Sequence, residues 1–199
     1  ISSGLVGSEM CIRDRANVIK VENKLSGGDM TRKWKLPSEK SQNTSAYFSA
    51  VNYGKKHVFL DFTNKNDRKT LESYIKKSDV IITNFKYGDA EKFNLSFENC
   101  KALNSSVIYA HIGGFKSNPR RVAFDIVLQA ETGFLSMTGT SSQSAKIPVA
   151  LIDVLAAHQI KEGILLALLK RDKTKKAYEV KTTLEESAIS SLMNPVSYT

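Results

Sequence analysis

The sequence predicts an α/β fold, and two observations carry the prediction. From Ala16 onward, short β-branched runs alternate with longer amphipathic stretches, the pattern of strands joined by crossover helices. The short runs are almost continuously apolar, as suits parallel strands covered on both faces. The first strand is Val18–Glu22. Lys24–Ser49, rich in Ser, Lys, Asn and Gln, has no sustained period and is too long for a tight turn, so it reads as a functional or mobile loop. The second strand is Val58–Phe62. Asp67–Lys77 then places Leu71, Tyr74 and Ile75 on one face with Lys and Arg on the other, predicting a surface helix. Strands follow at Val80–Asn84 and Val107–Ile112, a helix at Asp125–Met137, a strand at Val149–Ile152 and a helix at Val154–Lys170. Ala177–Thr183 alternates like a strand, and Glu185–Leu192 reads as a last helix. The sum is a Rossmann-like, mostly parallel sheet with flanking helices.

With 41% hydrophobic and 25% charged residues, 11 Gly and 4 Pro, the chain of 199 residues has the make-up of a globular protein, which excludes collagen-like, mucin-like and disordered classes. Lys and Arg outnumber Asp and Glu by 29 to 20, so nucleic acid, an anionic membrane surface and a phosphorylated ligand are all candidate partners of the +9 charge. Cys11 and Cys100 stand far apart with no CxxC, which speaks against a zinc site or a disulfide framework and for a reducing compartment, the cytoplasm. The longest apolar stretch, Ile164–Leu169, is far short of a membrane span and reads as part of a buried helix.

Ile1–Arg15 has neither a signal-peptide nor a transit-peptide pattern and no starting Met. Its GLVGSEMCIRDR resembles translated sequencing-adapter read-through, and Val196–Thr199 reads as a possible second scar. We therefore expect a fragment whose native part is 16–195. Setting Ile1–Arg15 aside removes Arg13, Arg15, Glu9 and Asp14, so the +9 belongs to the remainder.

In open α/β sheets ligands bind beyond the carboxyl ends of the strands. There the sequence places Gly27-Gly28-Asp29-Met30-Thr31-Arg32, Asn84-Phe85-Lys86-Tyr87-Gly88, Gly113-Gly114-Phe115 and Asp153, with Asn52-Tyr53-Gly54-Lys55-Lys56 just before the second strand. Amides, glycines that admit backbone N–H groups, and basic side chains are what a polyphosphate needs; they are also ordinary turn residues. The chain has no G-x-G-x-x-G, P-loop, HExxH or G-x-S-x-G, and His57, His111 and His158 are too widely spaced to suggest a metal site. Asp153 follows the apolar run Ile147–Ile152 and opens a helix carrying Leu155, Ile160, Gly163 and Leu166, which puts it at or next to the N-cap. Such a carboxylate serves as a nucleophile toward an activated acyl group or as a plain helix cap.

Taken in order, ANVIKVE with GGDMTR, NYGKKHVFLDF, SDVIITNFKYGDAEKFNLSFE, SSVIYAHIGGF, FDIVLQAETGFLSMTG, and ALID followed by EGILLALLKRDKT resemble the class III CoA-transferases, the CaiB/BaiF group of formyl-CoA and carnitine CoA-transferases. The resemblance runs from Ala16 to about Met193 and implies a truncated large domain of that fold over 16–195. It implies a catalytic Asp153, ten positions before the Gly163 of the G-I/L-L-x-A-L-L helix. Asp153 would attack an acyl-CoA carbonyl, pass through an aspartyl anhydride and an aspartyl-CoA thioester, and hand CoA to an acceptor carboxylate. The implied CoA-binding residues are Arg32 of G-D-x-x-R; Val51, Asn52, Gly54 and Lys55; Asn84, Phe85 and Lys86; Lys92; and Gly113, Gly114 and Phe115 near the thioester.

The sequence departs from the family in two places. Tyr87 stands where Pro usually precedes Gly, and Lys92 stands where Arg is commoner. The family's first strand would precede Ala16, and its glycine-rich closing loop, small domain and returning C-terminal segment would follow Thr199. Little or no activity is expected of this chain alone. The resemblance further implies coenzyme A as acyl-CoA substrate, a small carboxylic acid as acceptor, no metal, no nucleic acid, no membrane, and an interlocked homodimer for the full-length parent. Two alternatives compete. An α-methylacyl-CoA racemase-like member would need a His where Phe124 stands, and Phe cannot take a proton. A basic nucleic-acid-binding module would need Lys and Arg clustered with aromatics, whereas here they are scattered.

Overall fold

The computed structural model describes residues 16–40 and 44–193. The adapter-like stretch with Cys11 and the possible C-terminal scar lie outside the described residues. The described residues divide into two compact units, one within 1–78 with 102–104, the other within 79–101 with 105–199.

In the first unit β1 (Ile19–Asn23) pairs in parallel with β2 (Lys56–Leu60), Val21 opposite Val58. Between them the expected loop is largely structured: a 3-10 turn at Met30–Lys33 leads to helix α1 (Ala46–Val51), whose N-cap Ser45 accepts from Phe48 N. The local signal is short-range side-chain to backbone bonding, which leaves no hydrophobic period to read. Helix α2 (Lys65–Lys77) starts two residues earlier than its periodicity indicates, because Asn64 accepts from Asn66 N and Asp67 N. Its buried Leu71 and Ile75 lie on the predicted face.

In the second unit β3 (Val80–Thr83), β4 (Ile108–Gly113) and β5 (Tyr178–Thr183) form a parallel sheet in that order. Two short helices join β3 to β4, α3 (Asp89–Lys92) and α4 (Phe97–Leu103). The helix expected at Asp125–Met137 is two, α5 (Asp125–Glu131) and α6 (Phe134–Met137), broken at Gly133, whose φ of +91° is one that glycine adopts readily. Helix α7 (Leu151–Thr174) crosses to β5, and α8 (Leu184–Ser191) follows.

Among the described residues β1 to β5 pair only in parallel, as expected, but the strand predicted at Val149–Ile152 is not one. Leu151 and Ile152 open α7, and the place beside β4 is taken by β5. A short apolar run cannot be told from buried helix by periodicity alone. Here the backbone of the run is satisfied by side chains: Val149 O accepts from Gln129 Nε2, and Ile152 N donates to Asp125. The reading of Ile164–Leu169 as buried also needs correction. Helix α7 packs on β4, β5 and α8 through Ile152, Ala156, Ala157, Ile160 and Ala167, which turns Leu165, Leu166 and Leu169 outward at 54–67% exposure. Among the described residues no helix is long and apolar enough to cross a membrane.

Candidate active site

The sequence-predicted site residues fall in both units, and each group is described within its own unit. In the first, the turn after β1 is built around Glu22, 3% exposed at the end of the strand. Its carboxylate accepts from Arg32 Nε at 2.8 Å and Nη2 at 2.7 Å and from Asp29 N at 2.8 Å, and His57 Nδ1 lies 2.7 Å away. Burial pushes the Glu22 carboxyl up, but these hydrogen bonds and the Arg32 charge outweigh it and hold it at about 2. The guanidinium of Arg32 also lies 4.0 Å over the Phe48 ring and 5.3 Å over that of Phe59. Gly28, at φ +96°, leaves the room this needs: a Cβ there would sit 2.6 Å from Glu22 Oε2. Asp29 pairs with Lys20 Nζ at 2.6 Å and accepts from Thr31 N and Oγ1. Arg32, expected at a phosphate, thus has two of its donors on a buried Glu.

Val51 closes α1, and its C-cap Asn52 is buried with Nδ2 donating to Phe48 O. Lys55, 8% exposed, folds back to donate to Asn52 Oδ1 at 3.1 Å, and Gly54 bridges the turn at φ +74°. These four residues do share one turn, with the Lys55 ammonium directed inward.

In the second unit Asn84, Phe85 and Lys86 follow β3 directly. The Phe85 ring meets the Phe93 ring at a tilt, with centroids 6.3 Å apart, and the Lys92 ammonium lies 5.4 Å over Phe93. Lys86 and Lys92 are exposed. Tyr87, the departure from the family pattern, meets Arg120 of the loop after β4 at 5.2 Å, so the loops after β3 and β4 touch through a contact that sequence reading missed.

Gly113 ends β4 opposite Thr183, and Gly114 packs so tightly that a Cβ there would come 2.5 Å from that of Ala123. Phe115 is 3% exposed and shares a core cluster with Leu128, Phe134 and Ile152. The structure therefore brings the Gly113-Gly114-Phe115 loop to the start of α7, because Ile152 immediately precedes Asp153. Glu185 pins this loop, donating through its N to Gly114 O and accepting from Lys116 N at 2.7 Å and Ser117 N at 2.9 Å.

Asp153 sits in the first turn of α7 rather than at a strand end. It is half-buried, and burial first, then the neighbouring Asp125, pushes its carboxyl up to about 6. The helix N-terminus would pull the other way, and is outweighed. At pH 7 roughly nine carboxyls in ten with that value are ionised. Asp125 and Gln129 were not singled out from sequence; the visible signal was an acid and an amide four apart on one helix.

Elsewhere, His111 Nδ1 is 3.0 Å from Thr83 Oγ1, and burial with Lys181 nearby pushes its imidazole down, while burial pushes the Cys100 thiol up to about 11. Neither reaches the start of α7 through any contact described above. Among the described residues no group of three His, Cys, Asp or Glu is placed to hold a metal.

Comparison with known proteins adds independent findings. The family model described as CoA-transferase family III matches residues 16–199. An acyl-CoA transferase of Fusarium pseudograminearum is 33% identical, over 90% of this chain and 41% of its own. A succinyl-CoA:mesaconate CoA-transferase of Haloarcula hispanica is 32% identical, over 88% of this chain and 46% of its own. A CAIB/BAIF family protein from Brucella suis, known as a crystal structure, superposes at a TM-score of 0.86 with 32% identity, over 95% of this chain and 51% of its own. The chain spans about half the length of the relatives it matches. By the extent of the match and the shared fold, this chain belongs to CoA-transferase family III.

Proposed function

We propose that the protein carrying this span moves coenzyme A from an acyl-CoA thioester to a carboxylic acid, with Asp153 as covalent nucleophile. The observation that carries the reading is the Asp153 carboxylate itself, half-buried in the first turn of α7 and titrating near 6. It is ionised at neutral pH yet more basic than a surface aspartate, which suits a nucleophile. An Asp153 oxygen bonds to the thioester carbonyl carbon, the C–S bond breaks and its electron pair leaves with the CoA thiolate. The thiolate attacks the Asp153 carbonyl of the resulting anhydride, releasing the donor acid and leaving an aspartyl-CoA thioester. An acceptor carboxylate then attacks that thioester, and the freed thiolate closes the cycle on the new acyl carbonyl.

Toward CoA, the exposed ammoniums of Lys86 and Lys92 are the groups available to phosphate, and Gly113-Gly114-Phe115 lies beside the nucleophile's helix. Arg32, Asn52 and Lys55 are engaged with protein partners, so their part is to hold the turns after β1 and before β2 in shape within the first unit. The full-length protein works as a homodimer in the cytoplasm, and the 199-residue chain alone has little or no turnover.

The test is made on the full-length protein carrying this span. Incubation with succinyl-CoA, then hydroxylamine, should leave a hydroxamate at Asp153 on peptide mapping, and none in Asp153→Asn. Consumption of succinyl-CoA with Asp153 unmodified overturns the reading.

A further inference from the structure

Helix α7 has no cap of its own: Ala150 stands at the N-cap and offers no side-chain acceptor. The acceptor comes from another helix. Asp125, in the first turn of α5, accepts through Oδ1 from Ile152 N at 2.7 Å and from Asp153 N at 3.3 Å. Its second oxygen accepts from Gln129 Nε2 at 2.6 Å. Gln129 is 1% exposed and holds the approach to α7 as well, accepting from Ile147 N at 2.9 Å and donating to Val149 O at 3.3 Å. One amide thus fixes both the capping carboxylate and the segment that leads into the helix.

We infer that Asp125, held by Gln129, is the positioning residue for Asp153: a borrowed cap that sets where α7 begins, and a second negative charge beside the Asp153 carboxylate. A neutral cap such as Ser or Asn would satisfy the same N–H groups. A carboxylate does so while opposing ionisation of the neighbouring Asp153 carboxyl, which keeps that acid more basic and hence the better nucleophile. The elements packed against α7 carry other titratable groups: Glu131 on α5, Tyr109 and His111 on β4, Tyr178, Glu179 and Lys181 on β5, Glu185 and Glu186 on α8. Of these and Asp125, it is Asp125 whose charge acts on Asp153.

The catalytic meaning of this arrangement rests on Asp153 being the nucleophile; the arrangement itself does not, and is measurable on the 199-residue chain without turnover. Carboxyl-carbon NMR reads the titration midpoint of Asp153, and amide exchange reads the cap at Ile152 and Asp153. Asp125→Asn keeps an oxygen for the cap and removes the charge, so the midpoint should fall by about one pH unit while amide protection holds. Asp125→Glu keeps the charge and displaces the cap, so protection should fall about fivefold, the usual worth of an N-cap, while the midpoint stays within a few tenths. A midpoint unmoved in Asp125→Asn overturns the inference, as does unchanged protection in Asp125→Glu. Failure of hydroxamate to form at Asp153 in the full-length protein would instead remove the nucleophile reading and leave these two results standing.

Discussion

Glu22 shows how one buried carboxylate organises a turn. Its folded value near 2 lies below the ordinary 4.5, so the ionised form is bound more strongly in the folded state. Its stabilisation is complete above the ordinary value and is lost as pH falls from about 4.5 to about 2. The shift corresponds to about 3 kcal/mol, in line with the cost of leaving a buried partner charge uncompensated. Glu22→Gln should therefore destabilise the chain by about 3 kcal/mol at pH 7 in urea titration, with the two proteins converging near pH 2. A difference that persists undiminished at pH 2 would mean that shape, not charge, holds Arg32.

At the scale of elements, the approach of α7 to β5 turns on Gly163. A Cβ there would meet Val180 Cγ1 at 2.5 Å, and a β-branched side chain has little freedom to withdraw. Helix propensity favours Ala over Gly by roughly 1 kcal/mol, whereas overpacking costs roughly 1–3 kcal/mol. Overpacking should win: Gly163→Ala lowers the melting temperature, and adding Val180→Ala restores most of it. A stabilised single variant would show that the helix lifts freely from the sheet. The glycine ten positions after Asp153 is thus a packing residue. Most strands were legible because apolar runs such as Val80–Thr83 and Ile108–Gly113 are short and bounded by turn residues. Val149–Ile152 misled because it has the same local pattern, and its backbone partners Gln129 and Asp125 lie 20 and 27 residues away. Asp153 was singled out by its spacing and by the helix it opens, and the structure places it in the first turn of that helix. Its cap was not legible, nor was the Glu22–Arg32 fork, because in both a side chain finds its partner on a separate element only on folding.

Across the whole chain, the two units carry acids shifted in opposite directions, and their responses to pH should separate. In the first unit, Glu22 withdraws stabilisation as pH falls below about 4.5. In the second, Asp153 is raised to about 6, so the folded unit holds a proton that the unfolded chain releases. Its contribution is present below the ordinary value of 3.8 and is lost as pH rises through 6, so acidification from neutral pH strengthens that unit. Glu185 and Glu186 there are lowered by Ser117 and Lys116 respectively and titrate in the opposite sense, but they lie nearer the surface and are screened by water. The net +9 charge falls unequally, with 15 Lys and Arg against 8 Asp and Glu in the first unit and 14 against 12 in the second, so self-repulsion on acidification also weighs more on the smaller first unit. The expected order of acid unfolding is therefore first unit, then second. Hydrogen exchange read by mass spectrometry from pH 5 down to pH 2, corrected for intrinsic rates, should show the amides of β1 and β2 losing protection at a higher pH than those of β3, β4 and β5. Simultaneous loss would mean that the two sheets unfold as one unit and that the paired acids do not set the order. In Asp153→Asn, which removes the titration from the second unit while keeping its shape, the gap between the two transitions should narrow, because the second sheet no longer gains as pH falls.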